Sequence, residues 1–115
     1  MTPDVARVLR AARERIATPE RWTQGEYARD AYGEKMPEND FSGAYCWCSI
    51  GAIRGDSAFN VSPEIQDAED LLARVIGERT AFKLPDWNDA TDRTHAEVLA
   101  AFDAAIILAT AEIAP

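Results

Sequence analysis

The sequence predicts a small, mainly α-helical domain of four helices, with a short two-stranded β-ribbon between helices 1 and 2 as one reading of the segment that joins them. Three observations carry this prediction. Apolar residues recur at three- and four-residue spacing in long segments near the start, after residue 62 and after residue 94, as a helix with one buried face requires. Each of those segments opens on a capping signal. The 115 residues, 47% hydrophobic and 28% charged, suit one domain covering 1–115 with a core of its own.

Helix 1 begins with Thr2 as cap, Pro3 at the first position and Asp4 at the positive end of the dipole. Val5, Val8, Leu9, Ala12 and Ile16 form its apolar stripe, and Thr18-Pro19 stops it because a residue before proline avoids the α region. Between residues 19 and 41 the apolar anchors Trp22, Tyr27, Tyr32, Met36 and Phe41 alternate with the breakers Gly25, Gly33, Pro37 and Asn39. A ribbon turning near Gly33 and a loop with one helical turn both fit this composition.

Helix 2 is expected from Gly43 to Gly55, capped by Ser42 or Asp40. Helix 3 starts at Ser62-Pro63-Glu64 and buries Ile65, Ala68, Leu72, Val75 and Ile76. Thr80 to Arg93 reads as a polar loop pinned by Phe82, Leu84 and Trp87. Helix 4 opens on the capping box Thr94-His95-Ala96-Glu97. Val98, Leu99, Phe102, Ala105, Ile106, Ala109 and Ile113 follow at helical spacing; this alanine-rich helix, apolar nearly all round, is expected to be the central one.

The segment SGAYCWCSIGAIRGD contains both cysteines, Cys46 and Cys48. On a helix they diverge by about 160°, too far to share a metal or form a disulfide. Both are then small hydrophobes, reduced and buried on different faces, while Ala44, Cys48, Gly51, Ala52 and Gly55 make a small-residue face. The sharper alternative is a cysteine hydrolase with Cys48 as nucleophile and His95 as base. Zinc would need two further ligands, and the chain offers one histidine, so no metal and no cofactor is expected.

A second dense constellation lies at Asp86, Trp87, Asn88, Asp89, Asp92, Arg93 and Glu97. Asp86, Asn88 and Glu97 fall at positions 1, 3 and 12 of a calcium loop, but Ala90 and Thr91 occupy positions that need an oxygen ligand and a glycine. Two readings remain. In one, Trp87, Asn88, Asp89, Asp92 and Arg93 form a solvent-facing edge that binds a partner protein. In the other, Asn88 and Asp89 bond local backbone in a turn, Asp92 and Thr94 compete to cap the last helix, and Trp87 plugs the core.

The formal charge of −8, from 20 acidic and 12 basic side chains, disfavours direct binding of nucleic acid or anionic membranes. No stretch resembles a signal peptide or reaches the roughly 20 apolar residues of a spanning helix, so a cytoplasmic protein is expected.

Trp22-Thr-Gln-Gly with Ala28-Arg29-Asp30 and Gly33, Trp47-Cys48 with Gly51-Ala52, and Trp87-Asn88-Asp89 with Arg93-Thr94 and Glu97-Val98 occur in that order. This ordered set resembles a family of small bacterial and phage proteins catalogued as a domain of unknown function. The resemblance implies no reaction and no cofactor, and it draws attention to Arg29, Asp30, Asn88, Asp89 and Arg93, either as a site or as a buried polar lock in which Arg29 or Arg93 pairs with Asp30 or Asp89. The functional expectation is therefore a non-enzymatic interaction or regulatory module of bacterial or phage origin. One form of it is an acidic inhibitor that competes with nucleic acid for its target; the hydrolase is the alternative.

Overall fold

A computed structural model describes residues 3–113, with side chains through residue 111. Five helices, rather than four, make up most of it: α1 (Pro3–Arg15), α2 (Ser49–Arg54), α3 (Pro63–Val75), α4 (Leu84–Asp89) and α5 (His95–Ile113). Two strands, β1 (Ala28–Arg29) and β2 (Cys46–Trp47), pair antiparallel with Ala28 opposite Trp47 and Arg29 opposite Cys46.

The three long helices follow their local signals. Acidic Asp4 lies in the first turn of α1 and Arg13 and Arg15 in its last, complementing the dipole at both ends. Its Thr2 cap lies outside the described residues. Ser62 caps α3 by accepting the Ile65 N–H at 3.4 Å, with Pro63 at the first position. At α5, Thr94 Oγ1 accepts the Glu97 N–H at 3.2 Å, and Glu97 accepts the Thr94 N–H at 2.9 Å. That bond from the Thr94 N–H, and a second from the Thr94 hydroxyl at 3.0 Å, hold the Glu97 carboxyl below its ordinary 4.5.

The middle of the chain departs from expectation. Cys46 and Trp47 are strand, and the helix after them spans only Ser49–Arg54. The cause is tertiary. Tyr45 donates its N–H to Arg29 O at 2.8 Å and Cys48 donates to Tyr27 O at 3.0 Å, so the segment's backbone is committed to β1 before a helix can start. With that helix gone, the opposite-faces account of the thiols goes too: Cys46 sits in β2 and Cys48 caps α2. The expected polar loop also holds structure, a 3-10 turn at Ala81–Lys83 running into α4.

One cluster forms the main core, joining Val5, Leu9 and Ile16 of α1 and its exit to Ile53 of α2, Leu71 and Leu72 of α3, and Phe102 of α5. Here the central helix is α1, which packs against α2, α3 and α5. The apolar surface of α5 is not all enclosed, since Ile107 is 66% exposed. Its stripe residue Ile113 has no described side chain. No helix among the described residues is long and apolar enough to cross a membrane.

Candidate functional site

Asn88, on the last turn of α4, is 1% exposed and fully hydrogen-bonded. Its Oδ1 accepts three donors: Trp22 Nε1–H at 2.8 Å, the Ser49 N–H at 3.0 Å and the Ser49 hydroxyl at 2.6 Å. Its Nδ2 donates to Thr23 O at 3.1 Å and to Asp89 Oδ1 at 3.0 Å. Such a donor set fixes which end of the amide is oxygen. Around it, Gln24 Nε2 donates to the carbonyls of Asn88 and Ala90, each at 2.9 Å, and Gly25 donates its N–H to Asp89 Oδ1 at 2.9 Å.

The three sequence motifs meet at this point. Residues 22–25, the Ser49 start of α2 and Asn88-Asp89 are far apart in the chain, yet one amide side chain joins them. Bringing two loops and a helix start onto a single buried group is how a polar network specifies one arrangement.

The polar-lock reading thus has a counterpart in the structure, but its centre is a neutral amide. Among the described residues no ion pair joins Arg29 or Arg93 to Asp30 or Asp89. Arg29 instead donates to Thr23 Oγ1 and to the carbonyls of Gln24 and Gly33, bracing residues 23–33. Asp30 accepts the N–H groups of Tyr32 and Glu34 and shapes the turn at Gly33. Arg93 bonds Trp87 O at 2.9 Å and Glu97 at 3.2 Å, and stacks 4.4 Å from the Trp87 ring centroid, tying α4 to α5.

Of the five residues expected on a partner-binding edge, the structure divides the set. Asp89 and Asp92 are exposed, Trp87 and Arg93 are half-buried, and Asn88 is interior. Asp86, on the first turn of α4, is also exposed and extends the edge. Asn88 faces inward in the near-calcium register, and no group of three or more His, Cys, Asp or Glu able to hold a metal occurs among the described residues.

Cys48 and Cys46 are free and buried, at 7% and 8% exposure. The Cys48 sulfur accepts the Gly51 N–H at 3.3 Å, an N-cap made by a thiol. Burial pushes this thiol up to about 11 despite that bond. His95 lies elsewhere in its contacts: Nε2 is 2.7 Å from Ile16 O, so it carries the proton and donates, and the ring tilts against Trp22 at 6.3 Å. Among the described residues no hydrogen bond joins Cys48 to His95, and burial outweighs the Gly51 N–H that favours a thiolate. Both cysteines are expected to react with DTNB only on the time scale of unfolding at pH 7, and rapidly once denatured. Fast native labelling of Cys48 would contradict its burial and cap role.

Beside the lock runs a cleft that sequence reasoning missed. A smaller lobe of about 150 Å³ is lined by Gly25, Glu26, Tyr27, Glu38, Cys48, Ile50, Pro85 and Asp89. A larger lobe of about 430 Å³ shares Tyr27, Ile50 and Pro85 with it and continues past Arg54, Glu69, Asp70 and Phe82. Arg54 pairs with the buried Glu69 through Nε at 2.8 Å and Nη2 at 3.3 Å, and this pairing raises the guanidinium further above its ordinary value. The one legible signal was the density of Glu and Asp after residue 25; the walls come from five separate stretches of chain.

No curated protein and no solved structure shows significant similarity to this chain. A family model does match, over residues 1–108. With nearly the whole fold inside that match, the lock and the cleft included, the chain belongs to the family of unknown function DUF6197.

Proposed function

We propose that this protein is a non-enzymatic interaction or regulatory module of bacterial or phage origin, working in the cytoplasm, that holds a cationic partner protein against its acidic face. The observation that carries the reading is the row of exposed carboxylates Asp86, Asp89 and Asp92 set around the rigid Asn88 network. A cluster of exposed anions, with Asp89 held by Gly25 and Asn88, on a chain of charge −8 steers a basic surface towards it and repels polyanions. A nucleic-acid-binding protein is a partner of that chemistry, because its phosphate-binding side chains are complementary to carboxylates. The alternative, a hydrolase using Cys48 and His95, has no thiol–imidazole contact to support it.

The test is charge reversal outside the lock. Asp86→Lys with Asp92→Lys is expected to abolish capture of the partner in a pull-down from the native host. The thermal melt should stay within about 0.5 kcal/mol of wild type, as for other exposed positions. Capture by the wild type should also weaken as salt rises above about 0.1 M. Undiminished capture by the double variant, with an unchanged melt, would remove this edge from the reading.

A further inference from the structure

We infer that the two-lobed cleft receives an extended basic segment of the partner, with an arginine side chain in the smaller lobe and an apolar or aromatic side chain in the larger. This rests on the interaction reading above and names what that partner presents. Charge complementarity is the first ground. The described residues lining the two lobes carry five carboxylates, Glu26, Glu38, Asp89, Glu69 and Asp70, against the single cation Arg54. Arg54 is already held by both oxygens of Glu69 and by the Ala58 carbonyl.

The position of that cation also orders the segment. Arg54 and its partner Glu69 belong to the larger lobe, so an incoming guanidinium is favoured in the smaller one, whose lining holds Glu26, Glu38 and Asp89 and no cation, with Lys35 reaching Glu26 from outside the lining at 3.9 Å. A lobe of about 150 Å³, open to solvent, has the scale of a guanidinium with the end of its stem. Ile50, Cys48 and Pro85 offer the apolar surface along which such a stem lies. Tyr27 offers a ring face for stacking, as it already does for Arg54 at 5.7 Å. A lysine has no planar head to stack and gains less in the same place.

The larger lobe suits an apolar neighbour. Phe82 is 90% exposed on its wall, next to Ala81 and Pro85, an aromatic ring left to solvent. The smaller lobe is also preorganised. Gly25 and Asp89 are bonded to each other, and Asp89 to Asn88, so little ordering is left for binding to supply.

The probe is the blocked tripeptide acetyl-Arg-Ala-Phe-amide, titrated into ¹⁵N-labelled protein, with acetyl-Glu-Ala-Phe-amide and acetyl-Lys-Ala-Phe-amide as comparisons. Saturable shifts are expected at Gly25, Tyr27, Ile50 and Ala81, strongest for the arginine peptide. Glu26→Gln with Glu38→Gln should weaken that binding roughly tenfold, as the loss of two rim charge contacts does. Phe82→Ala should weaken acetyl-Arg-Ala-Phe-amide but leave acetyl-Arg-amide unchanged. Both variants alter exposed or rim side chains outside the Asn88 network, and a melt confirms their fold. Equal binding of the glutamate peptide, shifts confined to Asp86 and Asp92, or no saturable shift at millimolar peptide would each overturn the cleft assignment. The broader interaction reading fails separately, in the capture assay, because Asp86 and Asp92 line neither lobe.

Discussion

Asn88→Leu is expected to destabilise the protein by on the order of 3–5 kcal/mol, a large share of the stability of a domain this size. The two side chains share their branching and number of heavy atoms, so the loss is mainly polar. Leucine removes the acceptor of Trp22 Nε1, the Ser49 N–H and the Ser49 hydroxyl, and the donor to Thr23 O. Each buried group left without a partner costs about 1–3 kcal/mol. Local opening and entry of water recover part of the sum, which sets the range below the simple total.

Asn88→Asp is the more informative companion. It keeps the oxygen that takes three donors but puts a second oxygen against the Thr23 carbonyl and the Asp89 carboxylate. The three donors on Oδ1 favour the carboxylate, but the acid form keeps them and alone can donate to Thr23 O; together with burial and Asp89 this places its folded pKa above the unfolded value. A raised folded pKa means stability is present below the unfolded value and is lost as pH rises through the folded one. The gap between this variant and wild type in urea melts should therefore narrow as pH falls from 7 towards 4. The leucine variant, with nothing to titrate at that position, should keep its gap. A leucine variant within about 1 kcal/mol of wild type would show that the network does not hold the fold together.

The second large effect is at Gly51. In the interior of a helix, glycine to alanine ordinarily stabilises by about 0.5–1 kcal/mol. Here the opposite sign is expected. A Cβ at Gly51 would overlap the Tyr27 carbonyl oxygen and come 2.8 Å from its carbon. That carbonyl cannot retreat freely, because it accepts the Cys48 N–H that links residue 27 to the start of α2. Gly51 does not have a positive φ, so the requirement is for space alone. Overpacking of this kind costs about 1–3 kcal/mol and occasionally more. Gly51→Ala should therefore lower the melting temperature by about 10 °C, and Gly51→Leu should prevent folding. Calorimetry on the alanine variant decides the matter: a melting temperature at or above wild type would mean that α2 and Tyr27 do not touch as described.

The small face expected around Gly51 was thus right in substance, though the element carrying it was drawn too long. The sequence shows Gly51, Ala52 and Gly55 as a patch where backbone can approach. It does not show that the approaching backbone is Tyr27, which lies 24 positions earlier in the chain. A similar gap separates the two accounts of Asn88. Read locally, Asn88-Asp89 is turn chemistry on an acidic edge; the groups that bury it lie up to 66 positions away.

What this sequence determined by itself is what neighbouring residues can settle. The starts of α3 and α5 are written in Ser62-Pro63 and in the Thr94–Glu97 box, because a cap bonds to backbone only three residues on. The buried faces of α1, α3 and α5 follow from a period of 3.6 over enough turns to average out exceptions. The net charge of −8 is a sum over composition. Only the tertiary structure decided the rest. The strands span two residues each and α4 six, lengths at which local preference is too weak to form either. They exist because distant partners satisfy their backbone groups: Tyr27 and Arg29 for Cys48 and Tyr45, Gln24 for the carbonyls at the end of α4. The choice of α1 over α5 as the central helix was decided in the same way. Apolar composition says how much surface a helix prefers to bury, but the number of neighbours it meets is set by how all the other elements pack.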